Sequence, residues 1–370
     1  MRSSPAKRVL VIGGGVAGSA CAMTLARRGV DVMLIERAEF PRNKVCGCCL
    51  GPLGVRALES LGVAEKARSR SEVTARWIGA FDGRRVELTL PHGLAISRSE
   101  LDPILVDAAQ SAGAAFYEQT AARVVEVSEQ DVRVSIDDGR RSEDDSFDAV
   151  VLASGLNAHG GAGLLPWLEK PSGPFGVSFL AETRDRRLER GAIYIACDSA
   201  GYVGLVRLQD GTVDVAAALR HDPAMTRSPT DRINQILRSS GFEFGDLKPL
   251  GPVMTAPRLR RRRRAGEGRL IAIGDAAGYV EPFTGEGMTW AMCSGIAAGN
   301  LIADIAPQDL GTRWSHLHES ELSPRQGICR RIASALESRW KRRVAAGILT
   351  TLPSLSKPLL RKMNQQTFGV

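Results

Sequence analysis

Residues Lys7 to Glu36 read KRVLVIGGGVAGSACAMTLARRGVDVMLIE, and the fold follows from how this stretch is parsed. Lys7 to Ile12 is a short β-branched run of the kind that forms a buried parallel strand. It breaks into Gly13-Gly14-Gly15-Val16-Ala17-Gly18, which is G-x-G-x-x-G. A helical stretch runs from Ser19 to about Arg28, and Gly29 stops it. Val30 to Ile35 predicts a second strand, with Glu36 at its end. The glycines have separate tasks: Gly13 makes the tight turn, Gly15 admits the backbone to a pyrophosphate, and Gly18 lets helix and strand pack closely. Val16 and Ala17 sit at the helix N-terminus, whose unpaired N–H groups and partial positive charge suit that pyrophosphate. Glu36 lies 18 residues beyond Gly18, where a carboxylate accepts hydrogen bonds from a ribose diol. Strand, glycines, helix and acid in this order predict an adenine dinucleotide site.

A second element lies far downstream. Arg269 to Ile273 is another short apolar strand, and it delivers Gly274-Asp275-Ala276-Ala277-Gly278. A loop from Tyr279 to Gly285 follows, then a helix from about Glu286. Asp275 at a strand end can bond the hydroxyls of a ribityl chain. Pro282 and Gly285 shape a loop that can lie against a flat ring. The helix opening at Gly287 and Met288 aims its N-terminal dipole at that ring, where it would stabilise negative charge. A simple nicotinamide dehydrogenase has no need of this element.

Gly274 to Met288 (GDAAGYVEPFTGEGM) resembles the second FAD motif of the flavoprotein superfamily that includes aromatic hydroxylases, geranylgeranyl reductases and flavin-dependent halogenases. Ser97 to Asp102 (SRSELD) is similar to the segment whose arginine, here Arg98, reaches the flavin nucleotide in that superfamily. Ser97 and Glu100 also form a capping box for the following helix. Phe147 to Gly155 (FDAVVLASG) is similar to the strand and glycine turn beside the dinucleotide. Val124 and Arg37 are counted with Gly155 among the expected cofactor contacts. The resemblance implies an α/β fold: a Rossmann-like FAD-binding domain of three layers (ββα) over residues 1–75, 97–170 and 265–310. Into it is inserted a mostly antiparallel substrate sheet, 76–96 and 171–264, and a C-terminal helical segment, 311–370, follows.

The residues between the motifs agree with that layout. Phe175 to Ala181, Ala192 to Cys197, Tyr202 to Leu208 and Val213 to Leu219 have strand length and strand pattern, with turns at Ser199-Ala200-Gly201 and Asp210-Gly211. Arg76 to Leu90 is expected to add strands, and Thr230 to Ser239 a flanking helix that Gly241 ends.

Aromatic residues make up only 5% of the chain, so its core must be built from Val, Leu, Ile and Ala. The formal charge of +8 is dispersed except for the run at Arg260 to Arg264. No zinc-finger or RNA-binding pattern accompanies it, so no nucleic-acid partner is expected. A solvated strand or loop is the default for Arg258 to Arg264, with an anionic partner as the alternative. Seven cysteines, four of them isolated, fit a reduced cytoplasmic setting rather than a disulfide framework. The N-terminal apolar stretch contains three successive glycines, which argues for a folded strand rather than a leader.

Phe40 to Cys49 (FPRNKVCGCC) follows the second strand closely. C-x-C-C has three thiolates but no neighbouring fourth ligand, so no metal is expected. A redox or catalytic thiol beside the flavin and small residues packed in a turn remain as alternatives. P-x-x-K-x-C-G resembles the geranylgeranyl reductase branch, which implies that Cys46 lies close to the flavin and affects activity. Arg42 and Lys44 then become candidates for cofactor contacts. The His that aromatic hydroxylases carry after GDAA is Gly278 here, and the W-x-W-x-I-P stretch of tryptophan halogenases is absent. The Y-x-W-x-F-P stretch of prenyl reductases has its nearest counterpart in Gly201 to Val206, without the Trp and Pro. The expected reaction is hydride transfer from reduced FAD to an activated C=C of a prenyl, polyketide, quinone-like or carrier-bound substrate. Monooxygenation and a non-catalytic flavin-binding role are the alternatives. NAD(P)H or another carrier would bind only transiently. From Arg339 onward, basic residues flank an apolar, Pro-broken stretch: either a helical pair that covers the pocket or a peripheral membrane contact.

Overall fold

The computed structural model describes residues 7–157, 160–221, 227–281 and 285–369. A six-stranded sheet runs in the order Gly266–Glu267, Leu270–Ala272, Ala149–Leu152, Arg8–Ile12, Asp31–Ile35, Ala115–Tyr117. All its pairings are parallel except that of Gly266–Glu267. Val9, Leu10 and Val11 are fully buried, as the continuous apolar run required. Helices Val16–Arg27, Arg98–Ser111 and Gly287–Asp304 pack on this sheet, together with an antiparallel meander of Ala121–Val127, Val132–Asp137 and Ser142–Phe147. This is the expected three-layer arrangement. Helices Val16–Arg27 and Gly287–Asp304 approach closely because Gly295 and Gly299 sit against Ala17 and Thr24. A Cβ at Gly295 would lie 2.2 Å from the Ala17 carbonyl oxygen.

The second sheet has nine strands, ordered Gly278–Tyr279, Met254–Arg263, Trp167–Ala181, Val213–Leu219, Gly201–Arg207, Ala192–Asp198, Glu72–Phe81, Arg84–Ala95, Cys49–Leu50. It is antiparallel except where Ala192–Asp198 meets Glu72–Phe81. Its two edges depart from the expected boundaries. Cys49–Leu50 and Gly278–Tyr279, assigned in sequence to the dinucleotide domain, pair with the substrate sheet, and Trp167–Ala181 enters it earlier than expected. Backbone pairing at a sheet edge needs no side-chain pattern, so such short strands leave little trace in sequence. Helix Pro229–Ser240 packs on this sheet and ends at left-handed Gly241.

The arginine run is not solvated by default. Arg262 pairs with Glu319 at 2.7 Å, Arg260 with Glu337 at 2.8 Å and with Glu281, and Arg263 lies 3.5 Å over the Trp167 ring. The partners are distant in sequence, which hid them from a reading of local charge.

The tail forms helices Leu310–Glu337, Arg339–Thr351 and Lys357–Met363. Fully buried Trp314 ties it to the first sheet, its Nε1 donating to the Ala272 carbonyl at 2.8 Å. Beside it His318 is buried with its Nε2 unpartnered among the described residues, and burial pushes its pKa from 6.5 down to about 4. The unfolded chain therefore takes up a proton that the folded chain refuses. Stability should be intact above about pH 6.5 and fall by on the order of 3 kcal/mol as the pH drops towards 4. Urea midpoints across that range should show the slope, and His318→Gln should flatten it.

Candidate active site

Three of the four sequence motifs converge because each follows the carboxyl ends of parallel strands, where ligands of open α/β sheets bind, while the fourth, Ser97 to Asp102, follows Arg84–Ala95 of the second sheet. Gly13 follows Arg8–Ile12, Glu36 follows Asp31–Ile35, Gly155 follows Ala149–Leu152 and Asp275 follows Leu270–Ala272. A cavity of about 1030 Å³ opens there. Its wall includes Gly13, Gly15, Val16, Ala17, Glu36, Arg37, Arg42, Lys44, Cys46, Arg98, Gly155, Asp275, Gly285, Gly287 and Met288. Two expected residues do not face it. Gly18 acts by packing, since a Cβ there would lie 1.9 Å from the Gly13 oxygen. Val124 does not line the cavity: its buried side chain packs against Gly161, and its neighbours Ala121, Ala122 and Arg123 line it. Pro282 lies outside the described residues.

The cradle fits a dinucleotide. Helix Val16–Arg27 begins at Gly15 with no side-chain cap, which leaves its first N–H groups for an anion. A Cβ at Gly15 would lie 3.0 Å from Lys44 Nζ and 3.3 Å from an Arg98 terminal nitrogen, so two cations stand over the open glycine. Both are held by fully buried Asp102: Arg98 donates to it twice at 2.7 Å, and Lys44 Nζ lies 3.1 Å away. Burial opposes ionisation of Asp102, but Arg98 and Lys44 outweigh it and hold the carboxyl below its ordinary value. Burial is the main force lowering the Lys44 pKa. Glu36 accepts from Gly14 N–H at 3.0 Å, and through its other oxygen from Ala38 N–H at 3.0 Å and Arg42 at 2.9 Å. It thus braces the glycine turn as well as standing at the expected ribose position. Asp275 is pushed up to about 6, chiefly by burial, with Arg98 and Arg261 opposing. Helix Gly287–Asp304 also starts without a side-chain cap.

The cysteine segment lies between this cradle and the substrate sheet. Cys48 N–H donates to Cys46 Sγ at 3.3 Å. A hydrogen bond from the Cys48 side chain, helped by the Arg98 charge and opposed by burial, brings the Cys46 thiol down to about 7. Behind Cys48 stands Asp214, which sequence reading missed because it occupies an otherwise apolar strand, Val213–Leu219. Burial keeps its carboxyl well above the usual range, the Cys46 charge adds to this, and its side chain hydrogen-bonds to Cys48. Glu286, also missed as a site residue, has no partner for Oε2 among the described residues, and burial raises it to about 8 against the opposing Arg325 charge and Trp290 side chain. Among the described residues no cluster of three His, Cys, Asp or Glu side chains is placed to hold a metal ion. Alkylation of Cys46 by iodoacetamide should be half-maximal near pH 7 rather than near an ordinary thiol value of about 8.5. Cys48→Ala should move that midpoint upward by removing the donor, as mass spectrometry of the labelled peptide would show.

Beyond the cysteines the cavity wall turns apolar, with Trp77, Leu88, Ile193, Ile195, Leu205 and Met254 from the large sheet. The tail closes it through Ile332, Leu336, Leu349 and Leu355, so the helical segment does cover the pocket.

A dinucleotide cradle at the strand ends, a thiol beside it and an apolar chamber beyond define a flavin-dependent oxidoreductase. The chain belongs to the FAD binding domain family, whose model matches residues 6–327. It is 27% identical to the menaquinone reductase of Mycolicibacterium smegmatis over 363 residues, spanning 89% of this chain and 84% of that one. It is 26% identical to the digeranylgeranylglycerophospholipid reductase of Methanocella arvoryzae, spanning 85% and 82%. The flavin-dependent brominase Bmp2 shares the fold, with a TM-score of 0.80 at 17% identity over 97% of this chain and 93% of that one.

Proposed function

We propose that this enzyme reduces a carbon–carbon double bond of a lipophilic, isoprenoid-like substrate. The carrying observation is the continuity of the cavity: one volume of about 1030 Å³ passes from the dinucleotide cradle, past Cys46, into an apolar chamber under the tail. Lys44, Arg98 and the uncapped helix start would hold and orient the anionic groups of FAD, which, when bound and reduced by NAD(P)H or another carrier, would supply a hydride equivalent. The apolar walls exclude water and align a chain-like substrate. Reduction of an alkene also needs a proton, and Cys46 Sγ, whose pKa the Cys48 hydrogen bond lowers to about 7, is the group we assign to give it. Cys48 and the Asp214 carboxyl, whose pKa burial raises, stand behind it as the source that restores the proton. The names of the two reductases agree with this reading, since menaquinone and digeranylgeranylglycerophospholipid both carry isoprenoid chains.

The test is anaerobic reduction of the purified flavoprotein with NADPH, followed by addition of a polyprenyl naphthoquinone or a polyprenyl alcohol. Flavin reoxidation with a product that stays two hydrogens heavier after air has reoxidised any quinol, the added hydrogens lying in the chain, supports the reading. Reoxidation only by air, with substrate-stimulated oxygen uptake and a hydroxylated product, would overturn it in favour of a monooxygenase.

A further inference from the structure

The tail carries a surface that covering the pocket does not explain. Residues 338–370 contain seven Lys or Arg and no Asp or Glu, almost the whole of the chain's formal charge of +8. The same segment holds six exposed large apolar side chains: Trp340, Val344, Ile348, Leu352, Leu355 and Leu359. Trp340 is 71% exposed and Leu355 56%.

The arrangement is directional. At about 100° per residue, Trp340, Val344 and Ile348 fall within about an 80° arc of helix Arg339–Thr351. Lys341 and Arg343 lie on either side of that arc. The opposite face is anchored: Ala346 is buried, and Arg342 is buried against Asp82, at 3.1 and 3.2 Å, and the Leu336 carbonyl at 2.7 Å. The helix is therefore held by one face and offers the other. Among the described residues Lys341, Arg343, Lys357, Arg361 and Lys362 form no ion pair, so their charge is uncommitted. Leu355 and Leu359 are exposed and also line the cavity, so the apolar face runs into the mouth of the chamber.

We propose that this face docks in the plane of an anionic bilayer surface. The apolar arc would enter the acyl boundary, the flanking cations would meet lipid phosphates, and the cavity mouth would open towards the membrane. An apolar stripe edged by basic residues on a helix that lies parallel to a surface is the arrangement that binds such interfaces. In the described residues no helix is long and apolar enough to cross a membrane, so contact is made by this surface. The inference does not rest on the reaction: a hydroxylase with this tail would dock in the same way.

The experiment is co-sedimentation of the FAD-loaded, full-length protein with vesicles of phosphatidylcholine alone and of phosphatidylcholine mixed with phosphatidylglycerol. Two double variants are compared, Trp340→Ser with Ile348→Ser and Arg343→Gln with Arg361→Gln, each checked for unchanged FAD content and unfolding midpoint. The expected result is salt-sensitive binding to the anionic vesicles, weakened at least about tenfold in either variant. Absence of binding to both vesicle types overturns the proposal, as does binding that neither variant weakens. A vesicle-free dimer that Trp340→Ser with Ile348→Ser dissociates would assign the face to a second copy of this chain and also overturn it.

Discussion

Gly18→Ala is expected to yield a protein that purifies nearly colourless. The added Cβ would lie 1.9 Å from the Gly13 carbonyl oxygen and 3.1 Å from Ala153 Cβ. The obstructing oxygen belongs to the backbone of the phosphate turn, so no side chain can rotate out of the way. Overpacking ordinarily costs about 1–3 kcal/mol. Here relief requires displacing the turn itself, and with it Gly15 and the uncapped helix start that face the pyrophosphate. FAD affinity should fall roughly 100-fold, about 2.7 kcal/mol. Gly327→Ala, whose Cβ meets nothing within 4 Å, is the control and should leave FAD content unchanged. Full flavin occupancy with wild-type affinity in Gly18→Ala would contradict the role assigned to that glycine.

Asp102→Asn is expected to produce the largest loss of stability among single polar substitutions. Asp102 is wholly buried and compensates two cations, Arg98 by a paired 2.7 Å contact and Lys44 at 3.1 Å. Asparagine keeps the shape and removes the charge, leaving a positive pair without compensation in a poorly solvated place. Removing one partner of such a buried network costs about 3–5 kcal/mol. Urea unfolding of the FAD-free protein measures this directly, since bound flavin phosphates would partly replace the missing charge. The loss should therefore be smaller in the FAD-loaded protein than in the FAD-free one. Equal and small losses in both forms would show that the network is dispensable.

The elements legible in sequence were those whose signal is local. The strand–glycine–helix–acid stretch from Lys7 to Glu36 appears almost as expected, as Arg8–Ile12, Val16–Arg27 and Asp31–Ile35. Val213–Leu219 matches to the residue, and Ser97 caps its helix as expected, with Glu100 N–H donating to Ser97 Oγ at 3.2 Å, while the Glu100 carboxylate faces Arg70. One local signal was passed over. Asp82 and Gly83 both take positive φ and join Glu72–Phe81 to Arg84–Ala95 by a two-residue turn, and an Asp-Gly pair between strand-like runs is a strong hairpin signal. The meander from Ala121 to Phe147 was not read from its residues, because its outer face is polar and its apolar pattern weak.

What the sequence by itself determined is the cofactor site. Each of its motifs is a short segment in which turn, helix start and key side chain are adjacent in the chain, so covalent connection sets the geometry. What only the tertiary structure decided is the rest of the chamber. Asp214 meets Cys48, the tail meets the mouth, and the arginines of Met254–Arg263 meet Glu281, Glu319 and Glu337, all across long separations in sequence. Those meetings depend on the order of strands in the sheets and on which face of each helix is buried. Both are settled by backbone pairing and burial of apolar surface over the whole molecule.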